Sequence, residues 1–128
     1  MSALRPILIV DGDVTLRASL AEHFALHTEF EPDQAGSAAE AEAKLSAAGV
    51  RHDAILLDTG LPDADGRDLC ARLRGRGLKV PIVLAGSGAE RDVVGGLDAG
   101  ANYYLTKSSF HDETLVQAVE DLIGSAEA

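Results

Sequence analysis

The run Asp53-Ala54-Ile55-Leu56-Leu57-Asp58-Thr59-Gly60-Leu61-Pro62-Asp63-Ala64-Asp65-Gly66 sets the architecture. Residues 54–57 are an uninterrupted apolar stretch, which predicts a strand buried on both faces. An aspartate, Asp58, closes that stretch. Gly60-Leu61-Pro62-Asp63 is turn chemistry. A short helix follows, with Leu69, Cys70 and Leu73 on its apolar side and Gly75 and Gly77 at its end.

Outward from this unit the same alternation repeats. Residues 7–10 form a second apolar run, and Asp13 then opens a helix in which Leu16, Leu20 and Phe24 recur at helical spacing. Residues 30–35 make a poor strand containing Pro32. Proline cannot donate to a ladder, so this strand is expected at an edge. Ser37 and Glu40 form a capping box for a helix carrying Ala38, Ala41, Leu45 and Ala48, stopped by Gly49. Residues 81–84 read as a third buried strand. A second capping box, Ser87 with Glu90, precedes Val93, Val94 and Leu97, and Gly100 stops that helix. Residues 102–105 read as a strand. Ser109 and Asp112 predict a third cap before Leu115, Ala118, Leu122 and Ile123. Five strands alternating with five helices predict an α/β domain, a parallel sheet covered on both faces.

The 128 residues contain no repeat and no linker, so a single domain over residues 1–128 is expected, with no output module in the chain. With 46% hydrophobic and 25% charged residues the composition is that of a globular protein, not of collagen or a disordered tract. No apolar run approaches the ~20 residues of a membrane helix, and no leader pattern opens the chain. The single cysteine, Cys70, cannot form an internal disulfide, which fits the reducing cytoplasm. A net charge of −10 argues against direct binding to nucleic acid or to an anionic membrane. Arg67, Arg72, Arg74, Arg76 and Lys79 nevertheless cluster. They read as a solvated helix and its exit loop, or more sharply as a local docking patch.

In a doubly wound sheet, sites form beyond the carboxyl ends of the strands. That rule selects Asp11, Asp58, Ala85 and Lys107. Asp11, Asp13 and Asp58 are expected to converge opposite Lys107. Crowded carboxylates call for a cation, and hard oxygen ligands suit Mg²⁺. A carboxylate held beside Mg²⁺ and a lysine has the surroundings of a phosphoryl acceptor, because both cations offset charge on the transferring group.

These residues, with residues 7–11, 53–66 and 96–107 around them, make the chain similar to the receiver domains of bacterial two-component response regulators. The resemblance covers nearly the whole sequence. It implies a flavodoxin-like (βα)5 fold with sheet order 2-1-3-4-5, which agrees with Pro32 at an edge. It implies Asp58 as phosphoryl acceptor, Lys107 as the lysine that bonds the phosphoryl group, Tyr104 as the switch aromatic and the Gly60 carbonyl as a Mg²⁺ ligand. The implied partners are a sensor histidine kinase or phosphotransfer protein and a downstream protein. The downstream protein would be met through the face of the fourth helix, fifth strand and fifth helix. The implied role is signalling, not enzymatic turnover.

Three departures stand against the match. The family carries paired acids after its first strand, whereas this chain reads Asp11-Gly12, so one Mg²⁺ ligand is missing and weak Mg²⁺ binding is expected. Asp13 can reach the ion or cap the first helix, and the cap is the expected role. The family's Thr or Ser at the end of the fourth strand falls on Ala85, which has no hydroxyl. Ser87, two residues on, is a possible substitute, although its capping box already explains it. The family's cis Lys-Pro is replaced by Lys107-Ser108, where a cis bond costs ~2.5–4 kcal/mol against ~0.5–1 kcal/mol before proline.

Two accounts follow: a phosphorylated receiver with weakened metal and switch residues, or a pseudo-receiver that docks partners regardless of phosphate. A small-molecule binder using the same crevice has only Tyr103 and Tyr104 as aromatic lining. Crowding of unneutralised carboxylates predicts that Asp58→Asn stabilises the metal-free protein. The missing hydroxyl at Ala85 predicts a weak response of Tyr104 and the fourth helix. Gly86-Ser87-Gly88 lacks the third glycine of a dinucleotide loop. His23 and His27 lack a third ligand.

Overall fold

The computed structural model describes residues 5–26, 29–47, 49 and 51–107, together with Gln117, Val119 and Asp121. Among the described residues, five strands and four helices follow one another: β1 (Arg5–Val10), α1 (Val14–Ala25), β2 (Phe30–Ala35), α2 (Ala38–Ser46), β3 (Ala54–Asp58), α3 (Gly66–Gly75), β4 (Ile82–Gly86), α4 (Glu90–Asp98) and β5 (Tyr103–Thr106). All strand pairs are parallel and the sheet order is β2-β1-β3-β4-β5. The expected third cap, most of the expected fifth helix and the Lys107–Ser108 peptide lie outside the described residues. Gln117, Val119 and Asp121 are helical, with Gln117 Nε2 donating to Asp121 Oδ1 one turn on.

The period-two alternation of the strands splits the core into two layers. Ile7, Ile9, Ala54, Leu56, Val83 and Leu105 face one side, where they meet Leu20, Ala21 and Phe24 of α1 and Val119. Leu8, Val10, Ile55, Leu57, Ile82 and Leu84 face the other, against Ala38 and Ala41 of α2 and Leu69, Cys70 and Leu73 of α3. Every residue of β3 is buried, as its unbroken apolar run requires. β2 pairs only with β1, and Pro32 lies opposite Ile7, so the missing N–H falls on an edge.

The helix starts divide. Asp13 caps α1, its carboxylate accepting from Leu16 N at 3.1 Å, and Ser37 caps α2, accepting from Glu40 N at 3.1 Å. Glu40 reaches back one residue beyond the cap, to Gly36 N at 2.7 Å. The expected Ser87–Glu90 box is a correction: α4 begins after Ala89, which offers no side-chain cap, and Ser87 Oγ accepts from Ala89 N instead at 3.3 Å. The glycine that extends β4 to position 86 moves the helix start two residues past Ser87. α4 also carries Gly95 and Gly96, each costing up to ~1 kcal/mol relative to alanine. It is therefore a weak helix that depends on its tertiary contacts.

The basic cluster divides. Arg74 donates to the carbonyls of Leu78, Val80 and Gly100 and to Asn102 Oδ1. Arg67 pairs with Asp65 and Asp92. Arg72 and Arg76 both pair with Glu42 while staying 51% and 54% exposed. Arg67 and Arg74 thus tie α3 into the fold, and Arg72, Arg76 and Lys79 remain at the surface.

Candidate functional site

At the carboxyl end of the sheet, Asp11 follows β1, Asp58 ends β3, Ala85 lies opposite Asp58 in β4, and Lys107 follows β5. Strand alternation puts all four on the same face. Asp11 and Asp58 are buried, at 4% and 8% exposure. Lys107 Nζ sits between them, 2.9 Å from Asp11 Oδ2 and 3.1 Å from Asp58 Oδ1. Burial opposes charge on this ammonium, but bonds to the two carboxylates outweigh it and raise the lysine pKa.

The turn after β3 fixes the Asp58 carboxylate. Gly60 N donates to Asp58 Oδ1 at 3.1 Å. Gly66 N donates to Thr59 O at 2.9 Å, closing the loop. Gly66 lies so near that a Cβ there would stand 2.8 Å from Thr59 Cα, which explains a glycine at that place in the motif. Asp11 is fixed in the same manner, Oδ1 accepting from Asp13 N at 2.8 Å. Among the described residues every contact to Asp58 falls on Oδ1, which leaves Oδ2 open toward the crevice formed with Thr59, Gly60, Gly86, Ser87 and Lys107.

Two expectations need correction. The three carboxylates do not converge, because Asp13 is exposed and spends its Oδ1 on the α1 N-terminus. The remaining pair is not a repelling cluster, because Lys107 lies between its members. Among the described residues no group of three or more metal-ligating side chains assembles. The donor set still fits a hard divalent ion, since Mg²⁺ commonly takes one or two carboxylates and completes its octahedron with water and phosphate oxygens. Asp11, Asp58 and the Gly60 carbonyl would hold it. A Cβ at Gly12 would lie 3.0 Å from Pro62 Cδ and 3.7 Å from Gly36 O, so an acid there needs only a small shift of Pro62.

The opposite face of β4 carries a second group of polar residues. Tyr104, packed against the second core layer, donates its hydroxyl to Asp92 Oδ2 and accepts from Gly88 N at 3.1 Å. Ser87 also bonds the Tyr104 hydroxyl. Burial raises the phenol's pKa, and the Asp92 bond raises it further. Asp92 also accepts from Thr59 Oγ1 at 3.4 Å and lies 3.4 Å from Arg67 Nε. Thr59 and Asp92 were not singled out from the sequence, where Arg67 counted only in the basic cluster and Gly86 only in a rejected dinucleotide loop. The available signal was Thr59 immediately after Asp58 and an acid on the first turn of α4.

A five-stranded 2-1-3-4-5 parallel sheet with an aspartate after β1, an aspartate ending β3 and a lysine after β5 defines the receiver class. Residues 7–120 match the response regulator receiver domain family, and the chain belongs to it. The response regulator MprA of Mycobacterium tuberculosis (strain ATCC 25618 / H37Rv) is 37% identical over 112 residues, covering 87% of this chain and 47% of MprA. The chain thus spans about half the length of that relative. Among solved structures, a CheY-like receiver domain protein of Methanospirillum hungatei JF-1 superposes with a TM-score of 0.85 at 24% identity, covering 94% of each chain. The phosphorylated cyanobacterial phytochrome response regulator RcpA gives 0.79 at 29% identity, covering 94% of this chain and 91% of its own. Receiver domains accept phosphoryl groups on an aspartate, generally bind Mg²⁺ at that site, and work with histidine kinases or phosphotransfer proteins. They are generally not enzymes. Among the described residues no helix is long and apolar enough to cross a membrane.

Proposed function

We propose that Asp58 accepts a phosphoryl group from a sensor histidine kinase or phosphotransfer protein. In this reading the chain signals through protein contacts on the α4–β5 side rather than through nucleic acid. The supporting observation is Lys107 Nζ poised between Asp11 and Asp58, with Asp58 Oδ1 fixed by Gly60 N. Asp58 Oδ2 attacks phosphorus, the bond from phosphorus to the donor breaks, and the donor leaves with that bond's electron pair. Lys107 bonds the phosphoryl oxygens and offsets their charge. Mg²⁺, when bound by Asp11, Asp58 and the Gly60 carbonyl, supplies further charge neutralisation. Gly12 makes that site weaker by one carboxylate, and Asp13 stays at the helix cap. Ala85 offers the phosphoryl group no hydroxyl, and Ser87, which lines the crevice and bonds Tyr104, is the nearest replacement.

The test is an intact-mass spectrum after incubation with acetyl phosphate and Mg²⁺. One added phosphoryl group, absent in Asp58→Asn, is expected, with acetate released. No gain under saturating donor defeats this reading and leaves the phosphate-independent docking module. That second reading draws support from Tyr104, which Asp92, Gly88 N and Ser87 hold by hydrogen bonds among the chain's own residues.

A further inference from the structure

Neither Ala85 nor Gly86 at the end of β4 carries a hydroxyl, yet two hydroxyls and a carboxylate meet directly above Gly86. A Cβ at that position would collide with Thr59 Oγ1 and the Tyr104 hydroxyl and stand 2.6 Å from Asp92 Oδ2. Only glycine leaves room for the group. Its members come from four elements. Thr59 follows the acceptor Asp58, and Tyr104 belongs to β5. Asp92 stands on the first turn of α4, and Arg67 on the first turn of α3. The Asp92 carboxylate joins them, accepting from both hydroxyls at Oδ2 and lying beside Arg67 Nε at Oδ1. Its side chain is 16% exposed, so these bonds are only partly screened by water.

We propose that Asp92 is the coupling residue of this receiver: through Thr59 it connects the acceptor site to α4 and Tyr104, in place of a hydroxyl on β4. The proposal rests on Asp58 being the acceptor. Thr59 lines the same crevice as Asp58, Gly60, Ser87 and Lys107, so a phosphoryl group on Asp58 would share that crevice with it. A threonine hydroxyl has one proton to give. In the structure that proton goes to Asp92 Oδ2. A phosphoryl group brings about −1.5 to −2 charge and three strong acceptor oxygens. It competes for the Thr59 proton and repels the Asp92 carboxylate. Both effects act in one direction: they loosen Asp92 from Thr59 and strain its bond to Tyr104. α4 feels the change because Asp92 sits in its first turn, and because the helix has no side-chain cap and two internal glycines. The signal thus starts from a closed arrangement and opens it, a two-state element biased by differential contacts at Thr59.

Two readouts on the full chain decide the matter. The first is amide hydrogen exchange of residues 93–97 without any phosphoryl analogue. Thr59→Val removes a bond at Oδ2 and Asp92→Asn removes the charge that strengthens both, and each is expected to speed exchange several-fold. Gly86→Ala, which drives a methyl carbon into the group, is expected to do the same, and Thr59→Ser to restore the slow rate. The second is the change in amide chemical shifts on adding beryllofluoride and Mg²⁺. Shifts at Asp58 and Gly60 report occupancy. Shifts at Gly88, Asp92, Val93 and Tyr104 report coupling and are expected to shrink at least threefold in Thr59→Val and return in Thr59→Ser. Unchanged exchange in both Thr59→Val and Asp92→Asn overturns the proposal whatever Asp58 does. So do undiminished shifts at α4 and Tyr104 in Thr59→Val when Asp58 and Gly60 show full occupancy. Absence of shifts at Asp58 and Gly60 together with no mass gain defeats the acceptor reading itself. The exchange data then still decide whether Asp92 holds α4.

Discussion

The two faces of β4 tell different stories. On the α1 face, Asp11, Asp58 and Lys107 keep the family's residue types, and each is fixed by short contacts to backbone or counter-ion. Ala85, on that same face, lacks the family's hydroxyl, and on the α4 face Thr59, Tyr104 and Asp92 have gathered over a bare glycine. Under the proposed phosphoryl transfer, the acceptor side is constrained because it must hold a nucleophile and a cation around one phosphoryl group. The switch side is freer, because any arrangement whose contacts differ between two states can transmit a signal. Loss of a particular hydroxyl therefore does not by itself mean loss of coupling.

Lys107→Ala sharpens the contrast most. It leaves two buried carboxylates without their shared cation. Removal of one partner from a fully buried pair costs ~3–5 kcal/mol, and the 30% exposure of the lysine side chain reduces this to about 2 kcal/mol. Urea unfolding at neutral pH measures it. Asp92→Asn, which keeps the shape and loses one charge, is expected to cost about half as much. Equal costs would erase the distinction between a rigid acceptor side and a soft switch side.

Gly12→Asp tests how far the acceptor side departs from a full metal site. An added carboxylate is expected to raise Mg²⁺ affinity about tenfold, equivalent to about 1.4 kcal/mol, once Pro62 moves aside. Calorimetric titration gives the value. Unchanged affinity would show that water already serves as well as a third carboxylate.

Asp58→Asn is the finer probe of the same side. With Lys107 between the acids there is no repulsion to relieve, so the stabilisation expected from the sequence is withdrawn. The structure predicts a loss of about 1 kcal/mol, because Lys107 keeps Asp11 and loses a charged partner. Thermal unfolding without divalent ions decides the sign. A stabilised variant would restore the crowded-pocket account.

The smallest effect is in the pH profile. Asp33 is opposed by burial but held down by hydrogen bonds from Lys44, His52 and the Gln34 N–H, so its pKa is lowered. Bonds from Arg67 lower Asp65 against some burial. Folded carboxyl pKa values below the ordinary 3.8 mean that the unfolded chain binds more protons near that pH. This contribution is intact above about pH 5 and is lost as pH falls through the folded values. Lys107 has the opposite sign: its raised pKa contributes at all pH below the unfolded value and is lost only as alkali passes the folded one. Acid unfolding of Asp33→Asn and Asp65→Asn is expected to be shallower than that of the unmodified chain. A parallel curve would mean that neither carboxylate matters to acid stability.

Much of this protein was settled along the chain. Short apolar runs at residues 7–10 and 54–57 could only be two-sided strands, Pro32 could only sit at an edge, and Asp13 and Ser37 had the local geometry of helix caps. Asp11, Asp58 and Lys107 were legible because a strand's last residue and its successor point to a place the fold class already defines. What tertiary structure alone decided was what those side chains meet. Lys107 could not be known to lie between two carboxylates until β1, β3 and β5 were set side by side. Ser87 lost its cap role because β4 runs on to Gly86 and α4 starts only after Ala89. Arg74 turned from a surface charge into a staple because three carbonyls converge on it. The group over Gly86 is the extreme case. Its four residues are separated by up to 45 positions between Thr59 and Tyr104, and none carries a local pattern. Periodicity and capping are properties of neighbours in sequence, whereas a hydrogen bond between Thr59 and Asp92 exists only once the loop after β3 and the start of α4 have been brought to the same end of a sheet.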